Sequence, residues 1–321
     1  MPVQERMPQP PTAQLGLLHQ GLAEIIGRWT VGKEDCSTPI PNLGLFRREA
    51  PTQPCACIVE PSVVLVVQGA KQLLVGDHAY AYDTERFLIN SLDVPASSQA
   101  LEASADKPCL GLVLKLDLRI MAELIAHSGL QPPRNRADEG SSALGTITPA
   151  LLEPFSRLLA LLDEPGAIAV LTPLIEREIY YRLLMSDQSA RLWQIASVGS
   201  MSHRIARAID WLRANYAQPL HIDDLATHVQ MSPSNLHHHF RQLTAMSPLQ
   251  YQKWLRLHEA RHLMLNKRLD AASAAFQVGY ESPSQFSREY GRLFGAPPKR
   301  DIEGLRQRAG DSNTLQGLIS A

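Results

Sequence analysis

The string MSPSNLHHHFRQL at 231–243 returns at 281–293 as ESPSQFSREYGRL, an offset of fifty residues. A chain that repeats a segment at fixed spacing folds the same supersecondary unit twice. Ser232 and Ser282 head the copies and suit a helix N-cap, where a hydroxyl accepts a hydrogen bond from an otherwise unpaired backbone N–H. Pro233 and Pro283 follow at the first helical position, whose N–H has no partner in any helix. Leu236, Phe240 and Leu243 match Phe286, Tyr290 and Leu293, giving each helix one apolar stripe at i, i+4 and i+7. Pro248 falls on Pro298 at the same offset.

Upstream of each capped helix lies a second, shorter one. Ala226 and Ala275 correspond, each with valine three residues on (Val229, Val278), and the second copy has one more residue in its turn. Helix, short turn, capped helix, twice over, is a pair of helix-turn-helix modules. The periodicity predicts helices over 205–215, 222–229, 233–243, 248–265, 271–278 and 283–294. Of these, 248–265 joins the copies. It would span about 27 Å at 1.5 Å per residue, against about 34 Å between major grooves on one face of a duplex. Its apolar residues lie on more than one side (Tyr251 and Leu255; Trp254, Leu257 and Met264), as an element packed against both modules requires. The alternative is that the paired hairpins form a protein-interaction module without sequence-specific DNA binding.

Charge separates the halves. Residues 1–202 carry 16 Lys+Arg against 22 Asp+Glu, a net −6; residues 203–321 carry 15 against 10, a net +5, with eight of the eleven histidines. An acidic front and a basic back imply that only the back approaches a polyanion.

The front half reads differently. Valine-rich 62–68, then 72–75, the turn Gly76-Asp77, 79–82 and 87–90 are short apolar segments punctuated by turn residues, the pattern of a small β sandwich or barrel. Past Leu116 the period becomes helical, at Ile120, Leu124 and His127, then over 151–162 and 174–184. The last two stretches fit subunit pairing and core packing equally well. The organisation expected is a disordered leader at 1–14, a sensor domain at 15–185, a Ser-rich linker at 186–202, a DNA-binding domain at 203–308 and a flexible tail at 309–321. Met1–Gln14 lacks the apolar core of a secretory signal. Val63–Val67, the longest apolar run, is far short of the roughly 20 residues of a membrane span. Four cysteines in 321 residues do not make a disulfide scaffold. A cytoplasmic protein follows as the expectation.

Catalysis and metal binding find little footing. Between Val63 and Leu116 the only histidine is His78, too few ligands for a metal-holding barrel, and no G-x-S-x-G element is present. His237, His238 and His239 diverge by 100° each on a helix and cannot close on one ion, so neither metal nor cofactor is expected and the chain is read as no enzyme. Cys55, Cys57 and Cys109 are candidates for an effector or electrophile site. Cys55 and Cys57 share one strand face, and the competing reading makes all three small buried hydrophobes.

At these residues the chain resembles the AraC/XylS family of transcription regulators. The family's A-x-x-V-G-Y, F-S-R and F-G-x-P-P pattern is met by Ala275, Val278, Gly279, Tyr280, Phe286, Ser287, Arg288, Phe294, Gly295, Pro297 and Pro298. Leu225, Ala226, Met231, Ser232, Leu236, Phe240, Ser247, Pro248 and Tyr251 meet it in the first module, and Arg256, Ala260 and Leu263 on the joining helix. The front half is similar to the branch with an AraC-type, cupin-like sensor domain, through Thr38-Pro39-Ile40-Pro41, Glu60-Pro61-Ser62, Gln68-Gly69-Ala70-Lys71, Gly76 and Tyr82-Asp83. Gln230 and Ala245 stand where the family usually has glycine, His221 where it has a Ser/Thr cap, and Pro-Lys-Arg-Asp at 298–301 lacks a common tyrosine.

The fold implied is α+β: an N-terminal β-rich cupin-like domain with helices, then an all-α domain of two helix-turn-helix modules joined by a linking helix. On the first reading helix, Ser234, His238 and Arg241 point away from the apolar stripe, with His237 and Gln242 flanking. The resemblance implies that Ser234, His237 and His238, and in the second module Ser284, Gln285 and Arg288, face bases. Arg256, Arg292 and Lys299 are assigned to phosphate or structural contacts. The expected partners are double-stranded DNA, an unknown small-molecule effector, a second copy of the chain and RNA polymerase, in an activator outside any membrane.

Overall fold

β4 (Ser62–Gln68) is buried along nearly its whole length, and that explains the valine run: both of its faces are covered. Val63, Leu65 and Val67 face one core, while Val64 and Val66 face another. The computed structural model describes residues 11–127, 140–197 and 199–311. Before β4 come α1 (Pro11–Trp29), β1 (Asp35–Ser37), β2 (Leu43–Arg48) and β3 (Cys55–Val59). After it come β5 (Ala70–Val75), β6 (His78–Tyr82), β7 (Arg86–Asn90), β8 (Val94–Glu102), β9 (Cys109–Lys115), α2 (Leu118–His127) and β10 (Ser142–Thr146). Helices follow: α3 (Pro149–Ala160), α4 (Ile168–Leu184), α5 (Ser189–Ala196), α6 (Met201–Ala214), α7 (Ile222–His228), α8 (Pro233–Thr244), α9 (Pro248–Asn266), α10 (Ala271–Gln277), α11 (Pro283–Phe294) and α12 (Pro298–Asp311).

The strands form two antiparallel sheets, ordered β1-β2-β9-β4-β7-β10 and β3-β8-β5-β6. Inward residues of both, among them Phe46, Val64, Val66, Leu73, Val75, Tyr82, Leu88 and Cys109, fill the space between them. The outer face of the larger sheet (Leu45, Leu65, Phe87, Ile89, Leu112, Leu114) is roofed by the helices of the N-terminal half. β5 and β6 close as a hairpin on two residues, with Val75 opposite His78 and Gly76 at φ 57. Glycine alone adopts that left-handed backbone without strain.

Residues 11–14, expected in the leader, are the first turn of α1. Leu15, Leu18, Leu22 and Ile26 make its buried stripe, and Leu22 and Ile26 are fully covered. Residues 1–10 and 312–321 of the expected leader and tail lie outside the described residues. Within 186–202, expected as a linker, α5 buries Leu192 and Ile195 in the N-terminal core. The stretches 151–162 and 174–184 also pack mainly into that core, although Leu174 and Tyr181 face solvent. Among the described residues no single helix is long and apolar enough to cross a membrane.

The six helices expected after residue 203 are present, each within a few residues of its expected bounds. α12, not expected as a separate helix, buries Ile302 in the second module. The halves touch through the first module. Asp93, between β7 and β8, pairs with Arg213 of α6 at 2.8 Å, and Tyr251 Oη of α9 donates to the Asp93 carbonyl at 3.0 Å. The Gly76 hairpin lies against Ala245, close enough that a Cβ at Gly76 would fall 2.4 Å from Ala245 Cβ.

Candidate DNA interface

Both reading helices start as the repeat predicts. The Ser232 hydroxyl accepts from Asn235 N–H, and the Ser282 hydroxyl accepts from Gln285 N–H, each at 3.3 Å with proline next in line. Ser247 goes further. Its hydroxyl accepts from Gln250 N–H while the Gln250 side chain accepts from Ser247 N–H, a reciprocal capping box at the head of α9.

Each module has its own core. Leu236 and Phe240 of α8 pack with Ile205, Ile209, Leu212 and Leu225, whereas Phe286 and Tyr290 of α11 pack with Ala274, Ala275 and Val278. The two helices therefore bury their apolar sides in separate clusters and are not buried against each other. α9 serves both: Tyr251, Trp254 and Leu255 belong to the first cluster, and Leu257, Ala260, Leu263 and Met264 to the second. Its 19 residues extend about 28 Å.

Opposite these stripes lie the side chains expected at the bases. Ser234, His237, His238 and Arg241 are exposed on α8, and Ser284, Gln285 and Arg288 on α11. Arg288 makes no hydrogen bond or ion pair among the described residues. Gln285 Nε2 donates one N–H to Glu289 Oε1 at 3.1 Å and keeps its second N–H and its Oε1 for other partners. His239, half-buried, bonds to Gln242 Oε1 at 3.1 Å, and its ring meets that of His238 edge-on at 4.9 Å. Arg292 and Lys299 are exposed, but Arg256 is not free. Its Nε donates to the Tyr216 carbonyl (2.7 Å), Nη1 to that of Gly279 (2.8 Å) and Nη2 to that of Gln218 (2.9 Å). That arginine is structural, and it ties the loop after α6 to the second module.

A buried polar cluster behind α11 was not anticipated. Arg261 grips Asp301 with two bonds of 2.8 and 2.9 Å, and Tyr290 Oη donates to the same carboxylate at 2.7 Å. Glu289 receives Tyr280 Oη at 2.7 Å and Lys253 Nζ at 3.0 Å. Both clusters fix the back of α11 and leave its front to solvent. The partners are spread from 253 to 301, too far apart for periodicity to pair them.

In the N-terminal half, Cys109 is fully covered and Cys57 largely so, and burial pushes the Cys57 thiol up to about 11 and raises that of Cys109 as well. Cys55 is exposed on the edge strand β3. Between the sheets lie Lys71 and Tyr82, paired across β5 and β6, which the sequence offered as marks of the family resemblance and not as site residues. Lys71 Nζ sits 4.0 Å above the Phe46 ring. Burial, followed by the nearby Arg48 charge, lowers its ammonium pKa. Neither Lys71 Nζ nor Tyr82 Oη has a hydrogen-bond partner among the described residues. Inward alternation from Leu73 and Val75 was the signal that marked Lys71.

Two family models match this chain: one described as the AraC-type transcriptional regulator N-terminus, over residues 39–191, and one as a helix-turn-helix domain, over 225–303. The HTH-type transcriptional regulator ArgR of Pseudomonas aeruginosa is 28% identical over 155 residues, 48% of this chain and 46% of the relative. The HTH-type transcriptional activator RhaS of Escherichia coli is 26% identical over 157 residues, 49% of this chain and 55% of its own length. The matched region thus spans about half the length of these curated relatives. In fold, the chain is similar to ToxT of Vibrio cholerae O395, solved with (E)-4-(8-methylnaphthalen-1-yl)but-3-enoic acid. The TM-score is 0.56 at 10% identity, over 84% of this chain and 98% of that one. An apo point variant of ToxT from Vibrio cholerae strain SCE256 gives a TM-score of 0.55 at 9% identity, over 83% and 98%.

Proposed function

The chain belongs to the AraC/XylS family of transcription regulators, and from that premise we propose that it binds a specific DNA sequence through α8 and α11 under control of its N-terminal domain. The observation that carries the reading is the pair of serine-capped helices, each with its apolar side in its own core and its polar side exposed, on one shared strut. Arg288 bonds bidentately to guanine O6/N7 and Gln285 to adenine N6/N7, each worth about 1–3 kcal/mol of discrimination. Ser234, His237, His238, Arg241 and Ser284 complete the base-facing set, while Arg292 and Lys299 meet phosphates.

The sensor takes in α1 through α5, wider at both ends than the 15–185 expected, and the reader begins at α6. The effector is a small molecule or an electrophile. Lys71 and Tyr82 are the polar groups between the sheets that such a molecule would engage. Of the thiols, exposed Cys55 is the one open to direct modification. The regulator works in the cytoplasm as a homodimer that activates transcription through RNA polymerase, and no catalytic step is assigned to it.

The test is a gel shift of the full chain against DNA recovered by selection from a random library. Affinity should fall steeply with salt as released counterions lose their entropic advantage. Arg288→Ala should flatten sequence preference at one position, and Lys299→Ala should weaken all sequences alike. Unchanged specificity in Arg288→Ala would remove the contact assignment; binding without any sequence preference would remove the function.

A further inference from the structure

Glu289 of α11 receives bonds from three elements. Tyr280 Oη, in the turn before α11, donates to its Oε2 at 2.7 Å. Lys253 Nζ of α9 donates to Oε1 at 3.0 Å, and Gln285 Nε2, one helical turn back, donates to the same oxygen at 3.1 Å. Tyr280 is itself held, buried with its ring edge-on to Phe286 at 5.4 Å. The Glu289 side chain is 20% exposed, recessed behind the front where Gln285 stands in solvent. Burial pushes the Glu289 carboxyl up, but the bonds from Tyr280, Gln285 and Lys253 outweigh it and hold the group below the usual carboxylate range. At neutral pH it is an anion with no hydrogen to give.

That fixes the amide of Gln285. A primary amide has an oxygen on one side and an NH2 on the other, and an unrestrained one turns over to suit whatever it meets. Beside a carboxylate that can only accept, the NH2 must point to Glu289. One N–H is held there, and Oε1 with the second N–H remains. Adenine presents an N6 donor and an N7 acceptor in the major groove, which match those two. Guanine presents two acceptors, N7 and O6, and would need both N–H groups. Thymine has an acceptor and a methyl, cytosine a donor alone, so each leaves half of the pair unmet.

The first module supplies the contrast. At the same places in the repeat, Asn235 stands for Gln285 and His239 for Glu289. His239 bonds to Gln242, and the exposed Asn235 side chain has no hydrogen-bond partner among the described residues. The anion is therefore no requirement of the helix-turn-helix fold, since one copy does without it.

We propose that Glu289 is a positioning residue for DNA recognition: held by Lys253 and Tyr280, it locks the amide of Gln285 in the orientation that accepts adenine and rejects guanine. This deepens the base contact proposed for Gln285 and rests on it.

The test takes the full chain and the DNA selected from the random library, remade with each of the four bases at the position where Gln285→Ala flattens preference. In competition gel shifts the wild-type chain should prefer adenine over guanine there by about ten-fold or more. Glu289→Met, of similar length and without a strong acceptor, should cut that ratio below about three-fold. Its affinity for every sequence should meanwhile hold or rise, because an anion has left a surface that binds a polyanion. A residue that merely supports the helix would do the reverse, weakening all four DNAs and leaving the ratio alone. Glu289→Gln, whose amide accepts or donates, should fall between, and it carries the test should Glu289→Met unfold. An unchanged ratio in both variants, or an equal loss on all four DNAs, overturns the positioning role and leaves Gln285 its contact. Guanine or thymine preferred by the wild-type chain at that position overturns the role as well. If Gln285→Ala flattens no position, the contact assignment falls together with this role, while specific DNA binding stands.

Discussion

Gln230 and Ala245 hold φ at 56° and 59°, the left-handed backbone that costs a residue with a Cβ roughly 1–2 kcal/mol. They stand where the resembled family usually has glycine, and the second module keeps glycine at both equivalent places, Gly279 at 86° and Gly295 at 77°. Space explains the asymmetry at the first pair. A Cβ at Gly279 would fall 2.1 Å from the Ala217 carbonyl oxygen, whereas Gln230 is exposed and its own carbonyl accepts from Arg204 Nη1 at 2.6 Å. Strain is tolerable at the first turn and a backbone collision is not at the second. Gln230→Gly should therefore raise stability by up to about 1 kcal/mol, less the entropy that glycine regains on unfolding. Gly279→Ala should cost more than about 2 kcal/mol. Urea unfolding of both variants checks the pair, and equal effects at the two sites would show that the Ala217 contact is not the cause.

At the scale of elements, the strut α9 does more than set a distance. Arg256 bonds three carbonyls with one planar fork: Tyr216 and Gln218 from the loop after α6, and Gly279 from the turn before α11. Gln252 Nε2 reinforces the first two, at 3.1 and 2.7 Å. A lysine cannot reach three acceptors in one plane. Arg256→Lys should lose about 2–3 kcal/mol of stability through the carbonyls left partnerless. Its affinity should also fall more for DNA carrying both half-sites than for a single half-site, as the modules lose their fixed relation. Equal losses on the two DNAs would reduce Arg256 to a stability residue. The sequence announced the caps, the stripes and the joining helix because each is written locally, in i to i+4 spacing and in a serine followed by proline. It announced the exposed reading side for the same reason. The Asp301 and Glu289 clusters stayed hidden, since their members are brought together only by the fold. α1 was legible at Leu15, Leu18, Leu22 and Ile26 but was masked by the proline-rich residues before it.

At the scale of the whole molecule, what the sequence did not announce is how closely the halves meet. Apolar contact runs without a break from between the sheets to the first module, and at its rim Asp93 is covered by α6 and α9. Burial raises the Asp93 carboxyl to about 6, despite the opposing pull of Arg213, with Glu60 and Asp210 adding to the rise. A carboxyl that binds its proton more tightly when covered than when free makes the covered state more stable in acid. That contribution is complete below about 4, where the free carboxyl also titrates, and is lost as pH rises through about 6. The contact between the halves should thus loosen between about pH 4 and pH 6. Asp93→Asn, which cannot ionise, should abolish the dependence. Whole-protein melting is the wrong measurement. His258, stacked 3.7 Å from Trp254 and held down to about 3 by burial, contributes above about 6.5 and loses that contribution on acidification, the opposite sign. Amide exchange at 92–94 and 245–251, corrected for its intrinsic pH dependence, isolates the contact. Protection there should fall with rising pH in the wild-type chain and stay level in Asp93→Asn. If protection instead rises with pH, the Arg213 ion pair outweighs the cost of burying the charge, and the two halves are held together by attraction at neutral pH.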